Sequence, residues 1–319
     1  SVRMARQGDG DEGGQGGMEL LVGTDNGLHR LGARQEIELE GHAVTALARA
    51  GADLWAILDG QAVWLKQGDG PWRREADSPG WRLHCLLPST AGLLVGSAKA
   101  HLLRLEDGGL EVVRPFEEVE GRQDWFTPWG GPPDTRSMAQ DAQGNIYVNV
   151  HVGGIVRSRD EARSWHPTID INADVHQVVV HEGWRGLVVA PCARGLAVST
   201  DGGDSWDILS EGLHGSYMRA AAVAEDVAVA SASLGPYRGR DQRAALYRLP
   251  LEATDRLERC REGLPEWFGD NIDTHCLAAL GKAVAFGTSE GEVYLSEDKG
   301  LSWTKVAEGL PAIRCLLIL

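Results

Sequence analysis

Ser199-Thr-Asp-Gly-Gly-Asp-Ser-Trp206 decides how this chain is read, because it returns as Ser296-Glu-Asp-Lys-Gly-Leu-Ser-Trp303 and, with Ala162 in the glycine position, as Ser158-Arg-Asp-Glu-Ala-Arg-Ser-Trp165. The shared pattern Ser-x-Asp-x-Gly-x-Ser-Trp suits a hairpin corner. Its Asp accepts hydrogen bonds from its own turn, its Gly takes positive φ, and its Trp packs under the hairpin. Asp160, Asp201, Asp298, Trp165, Trp206 and Trp303 are therefore expected to be structural. Trp165 and Trp206 are 41 residues apart, and Trp206 and Trp303 are 97 apart, close to two further periods. Repeats of about this length mean propeller blades.

Working outward, a four-strand unit can be laid down seven times. Its first strand is an apolar run at Val44 to Ala48, Leu83 to Leu87, Thr135 to Ala139, Val175 to Val180, Met218 to Val223, Thr274 to Leu280 and Ile313 to Leu319. The last run has no successor strands, while the segments Leu20 to Thr24, Gly27 to Leu31 and Glu36 to Leu39 lack a first strand. Joined, they make one blade and close the ring without a free edge. The expectation is an all-β, seven-bladed antiparallel β-propeller over residues 18–319, with six blades if the weakly marked stretch from Gly51 to Trp72 is not a blade. Residues 1–17, polar and Gly-rich, read as a disordered extension.

The chain of 319 residues carries 41 Gly and 11 Trp, and its apolar runs are short and punctuated, which suits many short strands. A net charge of -15 argues against a nucleic-acid or anionic-membrane partner. No stretch approaches the roughly 18 apolar residues of a membrane helix, and the first 17 residues lack the apolar segment of a secretory signal. Five cysteines without framework spacing suggest free thiols and a cytoplasmic location.

The repeated corner resembles that of the Asp-box, or BNR-repeat, β-propellers, a class within the wider WD40/YVTN/BNR-like repeat proteins. It includes sialidases, sortilin-type domains, xyloglucanase-like glycosidases and photosystem assembly factors. The resemblance implies the fold and leaves the activity open.

Aligning the seven first strands places Thr45, His84, Arg136, His176, Arg219, His275 and Arg314 at one level, and Ala43, Arg82, Asp134, Asp174, Tyr217, Asp273 and Ala312 two residues earlier. Cationic groups at one repeated level of apolar strands need compensation. Both levels are therefore expected at a wet central mouth, with Asp134, Asp174 and Asp273 orienting the His and Arg beside them. Three readings remain open. The ring is a polar network locking blades together. Or Arg136, Arg219 and Arg314 bind a small anion or acidic sugar. Or His84, His176 and His275 hold one transition-metal ion. Two long connections, Arg114 to Asp134 and Leu264 to Asp273, carry Trp125, Trp129 and Trp267, read as an aromatic lid, a ligand wall or anchors for a protein partner. His151, in Val150-His151-Val152-Gly153-Gly154, lies near a strand end from which it could reach the mouth, but an isolated histidine reads first as a turn residue.

The sialidase resemblance would further imply Arg136, Arg219 and Arg314 on a substrate carboxylate, Tyr217 as nucleophile, and Asp134, Asp174 or Asp273 as acid. This chain lacks an Arg-Ile-Pro segment near its start and counts seven units against the usual six. The function expected is recognition, extending to hydrolysis, of a small polar or anionic, glycan-like ligand without a cofactor. The competing expectations are a non-enzymatic scaffold for a protein partner and the histidine metal site.

Overall fold

The computed structural model describes residues 18–236, 242–252 and 255–319. Residues 1–17, expected to be a disordered extension, lie outside the described residues. The chain folds into seven four-stranded antiparallel sheets. Blade 1 joins the two ends of this sequence: strand Ile313–Ile318 pairs antiparallel with Leu20–Thr24, followed by Gly27–Leu31 and Glu36–Glu38. The innermost strands of blades 2 to 7 are Val44–Ala50, Leu83–Ser89, Asp134–Gln140, Val179–Val180, Tyr217–Ala224 and Leu277–Leu280. Each packs against the next around the ring, and Ile313–Ile318 packs on Val44–Ala50 to complete it.

The doubtful stretch after Gly51 is a full blade, with strands Asp53–Leu58, Ala62–Lys66 and Trp72–Asp77 beside Val44–Ala50. That leaves seven blades and not six. Two expected first strands are shorter than the sequence suggested. In blade 5 only Val179–Val180 pairs regularly, preceded by an isolated bridge from Val175 to Cys192, and in blade 7 the strand starts at Leu277. Asp174 and His275 adopt left-handed backbone, at φ 54° and 70°, which takes each entry out of the ladder.

The three octapeptides join the third strand to the fourth in blades 4, 5 and 7, away from the axis. In blade 5 Ser199 Oγ–H donates to Asp201 Oδ1 at 2.8 Å, Gly203 N–H donates to Ser199 Oγ at 2.8 Å, and Ser205 N–H donates to Asp201 Oδ1 at 2.9 Å. Trp206 Nε1–H closes the corner on Gly203 O at 3.2 Å. Blade 7 repeats every bond with Ser296, Asp298, Gly300, Ser302 and Trp303. The blade 4 copy keeps the serine and aspartate bonds, but Ala162 must sit at φ 67° and the buried indole N–H of Trp165 has no partner. A side chain in the glycine position thus leaves the turn intact and costs it one hydrogen bond.

The seams between blades use a device that the spacing of the cysteines did not suggest. Cys85 and Cys315 stand opposite Gly96 and Gly23 in their own blades, and Gly287 N–H donates to Cys276 O. Each thiol reaches a main-chain carbonyl of the next blade: Thr135 at 3.6 Å, Val44 at 3.4 Å and Ile313 at 3.6 Å for Cys85, Cys315 and Cys276. All five cysteines are free and buried. Burial pushes the Cys85 thiol up to about 12, so these sulfurs act as small apolar fillers with a weak donor.

Candidate functional site

The residues at the aligned level share a backbone feature. In blades 1, 2, 3, 4 and 6 the ladder slips at Arg314, Thr45, His84, Arg136 and Arg219, each of which falls in a β-bulge. A bulge leaves one residue unpaired and re-aims its side chain, so both neighbours still point into the blade. Thr135 and Ser137 are buried on either side of half-exposed Arg136, as Met218 and Ala220 are around Arg219, and Ile313 and Cys315 around Arg314. An apolar strand can therefore carry a cation toward the axis without burying it among its neighbours.

The structure divides these residues into two clusters at the mouth. In the first, a cavity of about 290 Å³ is lined by Asp25, Thr45, Arg82, His84, Arg136, Asp273, His275 and Arg314, with Ala43 and Thr274. Asp273 is its hub: Arg136 of blade 4 reaches its Oδ1 at 3.1 Å and Arg219 of blade 6 at 3.2 Å. His275 Nε2–H donates back across the ring to Arg136 O at 3.0 Å. These bonds brace opposite sides of the propeller. Arg314 is held by both carboxylate oxygens of Asp25, at 2.6 and 2.7 Å, and His84 Nε2 lies 3.5 Å from Asp134. Burial works to raise the Asp134 carboxyl, but His84, the Lys99 N–H and His151 together outweigh it and hold the group below the usual carboxylate range.

Arg136, Arg219 and Arg314 thus do not converge on one open carboxylate position, since two share Asp273 and the third is on Asp25. Tyr217 is half-buried, its ring 4.7 Å from His176 and 5.6 Å from the Arg219 guanidinium. Burial first, with the Asp174 charge assisting, raises its hydroxyl above the ordinary value. That is the wrong direction for a nucleophile. Arg82 differs from its neighbours: its guanidinium has only the Asp59 carbonyl, at 3.5 Å, and no carboxylate within 4 Å among the described residues.

The second cluster lies between blades 4, 5 and 6. His151 ends the second strand of blade 4, and Asp174 and His176 enter blade 5. Asp174 Oδ1 is 3.1 Å from His151 Nε2 and 3.6 Å from His176 Nε2. His176 is fully buried, and its Nδ1–H donates to Met218 O. Burial, with the Arg136 charge next, pushes its imidazole down to about 3, and burial likewise lowers His275. Both rings are therefore neutral near pH 7, and Arg136, Arg219 and Arg314 are the permanent cations of the aligned ring.

Among the described residues, the histidines expected as a metal set do not come together. His84 faces Asp134, His275 bonds Arg136 O, and only His176 joins a group of closely spaced metal-ligating atoms, with His151 and Asp174. His151 looked like a turn residue because its partners arrive from the next blade. Asp25 escaped notice for the same reason: it reaches Arg314 only once the ring closes. Trp125 packs on Phe116 at 5.9 Å, under the Arg122 guanidinium at 4.9 Å, and Trp267 lies against Arg259 and His214. Trp129 alone of the three is exposed, at 72%, with its ring 5.5 Å from His151.

The fold and its central mouth define the chain as a seven-bladed β-propeller. Solved structures agree. An ancestral GH74 enzyme superposes with a TM-score of 0.63 at 12% identity, over 90% of this chain and 39% of its own, so this chain spans about two fifths of that protein. A catalytically inactive virginiamycin B lyase from Staphylococcus aureus, solved with quinupristin, gives 0.61 at 12% identity over 94% and 99%. YCF48 bound to D1 peptide gives 0.58 at 14% identity over 90% and 85%. No family model and no curated protein sequence matches. The propellers similar to this chain thus include enzymes and a peptide-bound protein.

Proposed function

We propose that the chain is a binding propeller of the Asp-box type whose mouth takes a small anionic, glycan-like ligand. The observation that carries this reading is Arg82, an exposed arginine that makes no ion pair within 4 Å among the described residues and lines a cavity of about 290 Å³. The lining sets three guanidiniums, Arg82, Arg136 and Arg314, against two carboxylates, Asp25 and Asp273, in a protein of net charge -15. Local positive potential in an acidic molecule attracts a carboxylate or phosphate, and a planar guanidinium binds either bidentately. The volume is at the lower end of small-molecule sites, on the scale of a sugar. The reciprocal serine and aspartate bonds of the three corners support the Asp-box reading. Hydrolysis is not part of the proposal, because Tyr217 faces Arg219 and a buried histidine.

Calorimetric titration with phosphate, glucuronate and neutral glucose tests it. The anions are expected to bind saturably and glucose not, with Arg82→Ala weakening the anions about 10-fold or more, as loss of a charge-assisted hydrogen bond requires. Anion binding unchanged in Arg82→Ala, or no anion binding at millimolar concentration, overturns it. Exposed Trp129 and Phe126, in one loop at the mouth, favour a second reading, a peptide-binding face; YCF48, a propeller of similar fold, was solved bound to D1 peptide. Loss of partner capture on Trp129→Ala with anion binding intact would favour that reading.

A further inference from the structure

His176, Asp174 and His151 present an arrangement that the anion site does not explain. The Nδ1–H of His176 is committed to Met218 O, which makes Nε2 the lone-pair nitrogen of the neutral ring. That nitrogen is buried, has no hydrogen-bond partner, and faces the buried Asp174 Oδ1 at 3.6 Å. Two acceptor atoms, both buried, thus confront each other. His151 Nε2 comes to 3.1 Å of the same oxygen. A cation placed among the three atoms would turn a repulsive contact into a bonded one.

We propose that His151, Asp174 and His176 form a binding site for one divalent first-row transition-metal ion. The ligand atoms all lie within 4.8 Å of one another. Metal–nitrogen and metal–oxygen bonds of about 2.0–2.2 Å in a tetrahedral site put ligand atoms about 3.3–3.6 Å apart, and the distances of 3.1 and 3.6 Å lie at or close to that range. Two imidazoles and one carboxylate suit zinc, iron or cobalt better than the oxygen-seeking magnesium or calcium. The Met218 carbonyl is the usual outer partner that orients a ligating imidazole. Arg136 is the cation whose charge acts on Asp174 and His176, and its guanidinium is engaged by Asp273 at 3.1 Å. Asp174 is partly open to solvent, and buried His151 lies against exposed Trp129, so Asp174 offers the entry path and room for a water or ligand atom to complete the coordination.

The test uses the whole chain, stripped with chelator and titrated with CoCl2, followed by visible absorption and calorimetry. One equivalent of Co2+ is expected to bind with the absorption of imidazole coordination. Asp174→Asn and His151→Gln should each weaken binding about 100-fold or more, while His166→Gln, on an exposed outer strand, should bind as wild type. His151 is at the rim of the cluster, so His151→Gln serves even if Asp174→Asn fails to fold, and thermal melts establish folding for each. No saturable binding to the wild type overturns the proposal, and so does wild-type affinity in folded His151→Gln, or loss of binding in His166→Gln. Phosphate titration of His151→Gln is expected to match wild type, which separates this site from the anion site.

Discussion

Gly96→Ala examines the seam that holds the mouth in place. Gly96 stands opposite Cys85 inside blade 3, and a Cβ there would lie 2.6 Å from Cys85 Sγ and 2.6 Å from Thr135 Cγ2 of blade 4. Non-bonded carbon atoms settle at about 3.5–4.0 Å, so the methyl group overlaps its neighbours by about 1 Å on two sides. Overpacking of this kind costs about 1–3 kcal/mol. Restricting the unfolded chain returns about 0.4–1 kcal/mol. The expected net loss is about 1–2 kcal/mol, or about 2–4 °C in Tm for a domain of this size. Differential scanning calorimetry and urea denaturation of Gly96→Ala, Cys85→Ala and the double variant form the assay. Removing the sulfur makes room for the methyl, so the double variant should be about 1 kcal/mol more stable than the sum of the singles. Thr135 precedes Arg136, so a parted seam should also weaken anion binding. A Gly96→Ala protein as stable as wild type, or strictly additive variants, would refute the packing argument.

Other consequences follow from the corners. Hydrogen bonds from the side chain and N–H of Ser164 hold the Asp160 carboxyl well below its ordinary value, at about 2. Its pKa is depressed in the folded state, so the stabilisation is present above the unfolded value and lost as pH falls from about 4 through about 2. Tm measured against pH should therefore fall less steeply over that window in Asp160→Asn than in wild type. Ala162→Gly relieves a left-handed alanine at φ 67°, a conformation that costs a side-chain-bearing residue about 1–2 kcal/mol. Set against glycine's greater freedom when unfolded, the variant should melt higher by about 1 °C or more, and a lower Tm would mean that the buried Ala162 methyl packs to more effect than the strain costs.

The bulges explain how one chain combines a packed ring with a polar mouth. Without them, alternation would drive every second side chain of an inner strand into a blade face and Arg136 could not stand between buried Thr135 and Ser137. With them, the blade keeps both neighbours buried and sends the cation inward. The same device recurs at Arg219 and Arg314, which is why these residues align in sequence at all.

The sequence by itself determined the repeat. Corner spacing, the apolar runs and the complementary partial blades at either end gave seven blades and the ring level, because period and turn chemistry are local properties written in consecutive residues. It also isolated His84, Arg136, His176, Arg219, His275 and Arg314 as one set. Only the tertiary structure decided their partners. Asp25 meets Arg314 after the ring closes, Arg136 crosses from blade 4 to Asp273 beside blade 7, and His151 finds Asp174 and His176 across a blade seam. Those pairings join residues from 23 to 289 positions apart. They depend on which side chains a closed ring brings face to face, and no local pattern in the chain carries that information.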